Sequence, residues 1–517
     1  MTKLIKNWFW QILILIGILI FAFVIRILHL TILPVFADEA IYIRWSQVMA
    51  AESTLRFLPL SDGKEPLYMW ILMLLIRHFQ DPLWIGRLES VICGIGTIVG
   101  IFASSYLLFK NKIISLLASF LWAIVPIAFF FDRMALVDSM LCMFGIWTFF
   151  FALLTAKFKR LDTAMLAGFC LGFAWLTKSP AIFFILLIPV TWLFAGNFKE
   201  LLKLIGLTLV TYVIAFGMFN ILRLGPNFEL IASRNLDYVY PISHIWTNPR
   251  DPFTSYITEV FADWLIKMGP GIGLILAAIG IFRNYKKYWK EVAIIFAWFL
   301  IPLLVQSEYA KVLTVRYILF TVPFFIILIS IAFLNTKKQL VKLITLTLLV
   351  VFIIQSLLFD KDLIVDPATA NLPNSERSGY LEEWTAGQGI KEISFYLRSL
   401  PTAPQIVVGT EGFFGTLPDG LEMYLNNYPK VTVVGTGLNF TDVPEQLKAA
   451  FKAGDQTFFV VNTSRILIKP EDYQRLGLKL IASYPKAMIK EKDSDEYARF
   501  GPQEALLFFQ IVEPNKK

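Results

Sequence analysis

The chain has 517 residues, 57% hydrophobic and only 17% charged, with a mean hydropathy of +0.64. A soluble domain carries about a quarter charged residues, so a wholly soluble protein is excluded. The formal net charge of +8 does not point to nucleic acid, because the Lys and Arg residues stand at the ends of apolar runs, where they set membrane orientation. The cysteines Cys93, Cys142 and Cys170 all lie inside apolar runs, so no disulfide framework follows.

A spanning helix needs about 20 apolar residues to cross the hydrocarbon layer. In chain order the apolar runs predict spans at 8–28, 84–109, 113–131, 137–156, 163–177, 180–196, 204–222, 265–282, 291–305, 317–334 and 341–359. The first follows Lys3 and Lys6 and leads into Arg26 and His29 rather than a cleavage site, so it reads as an uncleaved span. Segment 67–79 is different: its apolar core, Leu67 to Ile76, ends at Arg77 and His78. That is too short to cross and suits a re-entrant or interfacial helix.

Charge tests this assignment. With 67–79 not crossing, one side receives Lys3/Lys6, Lys110/Lys112, Lys157/Lys159/Arg160, Lys199/Lys203, Arg283/Lys286/Lys287/Lys290 and Lys337/Lys338/Lys342. The positive-inside rule makes that side cytoplasmic. The expectation is an α-helical polytopic protein of the plasma membrane with about eleven spans, its N-terminus inside and its C-terminus outside. Residues 1–360 form the membrane domain and 361–517 an extracytoplasmic soluble domain.

Beyond Asp360, short β-branched or aromatic runs at 405–410, 431–436, 457–461 and 506–512 alternate with helical stretches at 389–400, 421–426, 443–453 and 471–476. Such alternation predicts a small α/β domain with a largely parallel sheet. The Gly-rich stretch 409–420 reads either as a tight strand-to-helix turn or as an acceptor-binding rim. No complete nucleotide-binding Gly fingerprint is present: Gly435-Thr436-Gly437 lacks the third Gly and the acidic follow-up.

On the outer side, acids and cations gather at the membrane edge: Asp38-Glu39 at the head of a probable amphipathic helix over 38–52, Lys64-Glu65 before the short segment, Arg133 and Asp138, Lys178, and Arg316. Each has a plain structural reading. Asp38 suits a helix start, Arg133 and Asp138 a salt bridge, and Lys178 a snorkelling lysine. Charges at a membrane edge are costly and usually pair or serve a function. Together they suit a lipid with an anionic head group, with cations holding a phosphate and an acid serving as base.

The order of these residues resembles the GT-C class of multi-span glycosyltransferases, in particular the family 39-like group of protein O-mannosyltransferases and lipid A aminoarabinose transferases. The matching residues run from Asp38-Glu39-Ala40-Ile41-Tyr42 in the first outer loop to Lys64-Glu65-Pro66-Leu67, where the family pattern is Lys-Pro-Pro-Leu. Arg133-Met134-Ala135-Leu136-Val137-Asp138 matches Arg-x-Ala-Leu-x-Asp throughout, Leu176-Thr177-Lys178-Ser179-Pro180 has Ser where the family has Gly, and Arg316-Tyr317 opens a late span. The resemblance covers residues 8–335 and leaves the C-terminal domain unexplained.

The resemblance implies transfer of a sugar from a polyprenyl-phosphate donor to an acceptor hydroxyl of a protein Ser or Thr, a lipid or a glycan, with inversion. It makes Asp38 the general base, with Glu39 positioning the acceptor or joining Asp38 around a divalent ion, although no His or Cys spacing supports a dedicated metal site. Asp138 orients Arg133 or a group of the first outer loop. Lys64, Arg133, Lys178, Arg316 and Arg234 are the implied phosphate ligands, Arg234 from a 223–263 loop that resembles the family's mobile outer loop. The alternatives are a transporter or flippase of lipid-linked sugars, which would show internal repeats and midplane charges, and a ligase or polymerase that moves whole glycans.

Overall fold

Apolar runs become helices because a membrane interior offers no partner for backbone N–H and C=O groups, so each segment must satisfy its own. The computed structural model of the chain describes residues 2–334, 338–401, 404–489 and 503–514; of the cytoplasmic cations expected above, Lys337 lies outside the described residues. Among them, seven helices are long and apolar enough to cross a bilayer: Trp8–Ile27, Pro82–Phe109, Asp138–Phe158, Phe198–Leu224, Trp289–Tyr309, Val315–Phe333 and Gln339–Val365. An eighth is counted if Phe253–Lys267 and Ile272–Asn284, bent by 105°, make a single span. This is a multi-pass membrane protein.

The expected number of eleven is not established. Segments 113–131, 163–177 and 180–196 are helical, but their helices Lys112–Ile124, Leu161–Thr177 and Ser179–Phe194 are short. Proline explains two of them. Val125 adopts an extended backbone ahead of Pro126, which splits 113–131 into Lys112–Ile124 and Pro126–Phe131. Pro180 and Pro189 divide 180–196 into one short α-helix between 3-10 turns. Segment 67–79 is a short helix, Leu67–Leu75, with a final 3-10 turn to His78.

Inter-residue contacts divide the chain into two units. The first comprises Met1–Leu30, Ser53–Ile71 and Arg87–Pro373. At its centre Phe149, Phe184, Trp298, Phe320 and Phe324 form an aromatic cluster, with the Phe149–Trp298 and Phe149–Phe324 centroids 5.0 and 4.9 Å apart. Helix Trp8–Ile27 instead turns Trp10, Ile12 and Ile20 outward, apolar surface suited to lipid tails. The bend falls at Met268-Gly269-Pro270-Gly271, and the buried Met268 carbonyl there accepts a 2.9 Å bond from the Ile127 N–H. Helices Ile272–Asn284 and Val322–Ser330 pack closely, because at Gly280 a methyl group would press on the Leu328 carbonyl oxygen. Backbone cannot yield as a side-chain tip can. Gly280→Ala is therefore expected to destabilise the protein by about 1–3 kcal/mol, read as a lower midpoint in detergent unfolding; an unchanged midpoint would mean the helices can part freely.

The second unit comprises Thr31–Glu52, Leu72–Gly86 and Asn374–Lys517. Its sheet has strands β1 (Ile406–Thr410), β2 (Val431–Gly435), β3 (Gln456–Asn462), β4 (Leu478–Ile489) and β5 (Gln503–Ile511) in the order β2-β1-β3-β5-β4. β2, β1 and β3 are parallel, and Ile406 registers with both Val431 and Gln456. β5 runs antiparallel to β3, and β4 antiparallel to β5. The sheet is thus mixed rather than largely parallel. The sequence pattern does not predict β4, because Lys479, Ser483 and Pro485 interrupt its apolar run; this is edge-strand chemistry, where a missing N–H is tolerated. Of the predicted helices, Ile390–Ser399, Asp419–Leu425 and Glu445–Lys452 form, and 471–476 holds only the 3-10 turn Pro470–Asp472.

Helix Ala37–Ala51 belongs to this same unit and lies against Asp419–Leu425. Arg44 donates to Glu422 at 2.7 Å and to Asn426 at 2.8 Å, and Gln47 donates to the Met423 carbonyl at 2.8 Å. The chain entering the helix is held as well: the Ala37 N–H donates to the Thr385 carbonyl and the Gly387 N–H to that of Val35.

Candidate active site

Within the first unit, Lys178 is the centre of the polar cluster. Helix Leu161–Thr177 ends where Lys178 turns extended, just ahead of Ser179-Pro180, and the Lys178 N–H closes the last turn on the Ala174 carbonyl. Its ammonium donates to Asp138 Oδ1 at 2.6 Å and lies 4.1 Å from the Tyr317 ring centroid. Asp138 is buried at the first residue of helix Asp138–Phe158, where the helix dipole favours a carboxylate. Arg316, half-buried, lies 5.2 Å from the same Tyr317 centroid. An acid and an aromatic face thus fix one ammonium in place.

One residue further, Ser179 Oγ donates to Glu65 Oε1 at 2.6 Å. Glu65 is 5% exposed, and burial pushes its carboxyl up to about 7 against the opposing Ser179 bond and the Lys178 charge. The two positions where the chain departs from the family pattern are therefore hydrogen-bonded to each other. Taken singly each reads as a substitution, and nothing in their spacing announces the pair.

Lys64 lies 3.5 Å from Asp62, which also accepts from Arg234 at 2.8 Å, and Arg234 in turn reaches Asp237 at 2.9 Å. The turn places Gly63 at φ +66°, with the Arg234 side chain packed where a Cβ would stand. Lys64 and Arg234 are thus tied through one carboxylate across a long sequence separation.

Arg133 has different partners from Lys178. It is 1% exposed and donates to the carbonyls of Ile25, Arg26, Leu28 and His29, closing the C-terminal end of the first helix. Its neighbour Asp132 takes Arg26 Nε at 3.0 Å and Ser139 Oγ at 2.8 Å, and Arg26 also donates to the Ala123 carbonyl at 2.7 Å. Burial raises the Asp132 carboxyl while Arg26 and Ser139 oppose it. Arg26, at the end of an apolar run, carried no sequence signal for this partner.

Asp38 and Glu39 lie on the second unit, in the first turn of Ala37–Ala51. Asp38 is half-buried. Glu39 is fully buried and reaches back to accept the Phe36 N–H at 3.0 Å, as an acid three residues into a helix does. Among the described residues no three His, Cys, Asp or Glu side chains gather as a metal-holding group, and one Glu39 oxygen is engaged by the Phe36 N–H.

The sequence profile of the family described as dolichyl-phosphate-mannose-protein mannosyltransferase matches residues 63–222, a segment that contains Lys64, Glu65, Arg133, Asp138 and Lys178. No curated protein sequence matches the chain. In fold it is similar to ArnT from Cupriavidus metallidurans in the apo state, at a TM-score of 0.59 and 14% identity over 97% of this chain and 98% of that one. The same protein bound to undecaprenyl phosphate gives 0.57 and 14%, over 99% and 100% of the two chains. The oligosaccharyltransferase AglB from Archaeoglobus fulgidus, in complex with an inhibitory peptide and a dolichol-phosphate, gives 0.50 and 12%, over 89% of this chain and 70% of that one.

Proposed function

We propose that this chain, a membrane glycosyltransferase of the GT-C fold, moves one sugar from a polyprenyl-phosphate donor to an acceptor hydroxyl on the outer face of the plasma membrane. The acceptor oxygen attacks the anomeric carbon as the bond from that carbon to the phosphate oxygen breaks. The phosphate leaves with the electron pair, the acceptor proton passes to Asp38, and the anomeric configuration inverts. A lipid phosphate is a good leaving group, so a single carboxylate suffices. Glu39 holds the turn that presents Asp38. Lys64, Lys178, Arg316 and Arg234 compensate the charge that develops on the phosphate, with the buried Arg133 adding to the field. Asp138 acts through Lys178, whose ammonium it fixes.

The observation that carries this reading is the Lys178 ammonium, held at 2.6 Å by Asp138 and against Tyr317 within a segment matched by the mannosyltransferase profile. In this reading the N-terminus is cytoplasmic and the C-terminal domain extracytoplasmic, a sidedness that the lysine-rich loops support. That domain then has a role, because the helix bearing Asp38 is ion-paired to it through Arg44 and Glu422.

Purified protein incubated with a panel of polyprenyl-phosphate sugars and hydroxyl acceptors (peptide, lipid and glycan), with products analysed by mass spectrometry, is expected to yield a singly glycosylated acceptor and free polyprenyl phosphate. Consumption of none of the donors would overturn the reading. Transfer of a preassembled glycan in place of one sugar would make the chain a glycan ligase.

A further inference from the structure

Glu65 has no part in the chemistry above, yet it is a buried carboxyl within electrostatic reach of Lys178. Lys64 precedes it in the chain, and Lys178 acts on it electrostatically from the segment whose next residue, Ser179, is its hydrogen-bond partner. The other charged groups of the neighbourhood are spoken for: Asp62 takes Lys64 and Arg234, Asp138 takes Lys178, and Arg316 lies over Tyr317. Unlike Asp62 and Asp138, Glu65 is hydrogen-bonded by neutral donors, the Ser179 hydroxyl and the backbone N–H groups of Glu65 and Ser179.

The reaction changes the charge it would meet. A sugar linked through phosphate to a lipid is a phosphodiester with one negative charge. Once the bond to the sugar breaks and the phosphate keeps the electron pair, the carrier is a phosphomonoester with up to two. We propose that Glu65 distinguishes donor from spent carrier: neutral, its acid O–H can donate to a phosphate oxygen while the other oxygen keeps the Ser179 bond; ionised, it repels phosphate, and the dianionic product more than the monoanionic donor. It is a specificity-determining residue for the phosphate, and the inference rests on the reading of Lys64 and Lys178 as phosphate ligands.

Burial brings the carboxyl up to about 7, so the two states exchange near neutral pH. The group releases its proton as pH rises, and carrier affinity falls with it. The experiment measures binding of undecaprenyl phosphate to the purified full chain between pH 6 and 8.5, beside a non-titrating phosphodiester of the same lipid. Wild type is expected to lose about tenfold more affinity for the monophosphate across that range than Glu65→Gln does, one unit of linked protonation corresponding to a factor of about ten. The phosphodiester should show a smaller difference of the same sign. Subtracting the variant removes the titration of the lipid phosphate itself. Ser179→Ala, which removes a bond that favours the ionised form, should move the pH of weakening upward and serves if Glu65→Gln does not fold. Equal pH slopes in wild type and Glu65→Gln, or an unmoved midpoint in Ser179→Ala, would overturn the inference and leave the proposed function standing. Absence of carrier binding at every pH in wild type would overturn both.

Discussion

Asp38→Asn is expected to lower sugar transfer by about 10²- to 10⁴-fold, the range over which a positioned general base accelerates a reaction, while the protein stays folded and still binds the polyprenyl carrier. The substitution keeps the shape of a half-buried side chain in the first turn of Ala37–Ala51. It removes an acid from a helix N-terminus, which takes away about 0.3–1 kcal/mol of helix-dipole stabilisation. The Phe36 N–H remains capped, because that bond belongs to Glu39. Glu39→Gln supplies the contrast. It weakens a buried capping bond, so its effect should appear in the unfolding midpoint as well as in turnover. Turnover by Asp38→Asn near the wild-type rate, with folding intact, would remove Asp38 as the base. Loss of both turnover and carrier binding would instead mark Asp38 as part of donor recognition.

The sequence shows what depends on solvent. Apolar length and lysine distribution report directly on a bilayer, so the polytopic character, the short segment at Leu67 and a separate sheet-bearing domain could all be read from it. It shows less where a contact is made between distant segments. Asp38 could be placed on a helix, but its Arg44 could not be matched to Glu422, and nothing local says that residues 31–52 group with 374–517. The same holds for Ser179 and Glu65. Strand β4 is hidden for another reason: an edge strand need not alternate cleanly and tolerates a proline such as Pro485. The count of eleven is not established where Pro126 and Pro189 interrupt helices that hydropathy averages over. The clustered cations could be found by their charge, yet the structure divides them by partner. Lys178, Lys64 and Arg234 meet carboxylates, and Arg133 meets backbone carbonyls.

That division sets the second large effect, which concerns stability. Arg26 and Asp132 are both fully buried, at 0% exposure, and their 3.0 Å contact joins the first helix to the Asp132–Asp138 turn. Replacing Arg26 by Met would leave Asp132 with only Ser139 Oγ, and the Ala123 carbonyl would lose its 2.7 Å donor. Removing one member of a buried pair costs about 3–5 kcal/mol, because the other charge is left without compensation. Asp132 would respond by taking a proton, since burial already favours its neutral form and Arg26 is the first of the groups opposing it. The variant should therefore lose more stability at pH 8, where protonating a carboxyl is costly, than at pH 5. Arg26→Met combined with Asp132→Leu removes both charges, and a buried ion pair replaced by apolar groups is often neutral or better. The double variant is thus expected to recover most of the midpoint lost by Arg26→Met in detergent unfolding. A double variant as unstable as the single one would show that the Arg26 bond to the Ala123 carbonyl, rather than the pairing of charges, holds the first helix in place.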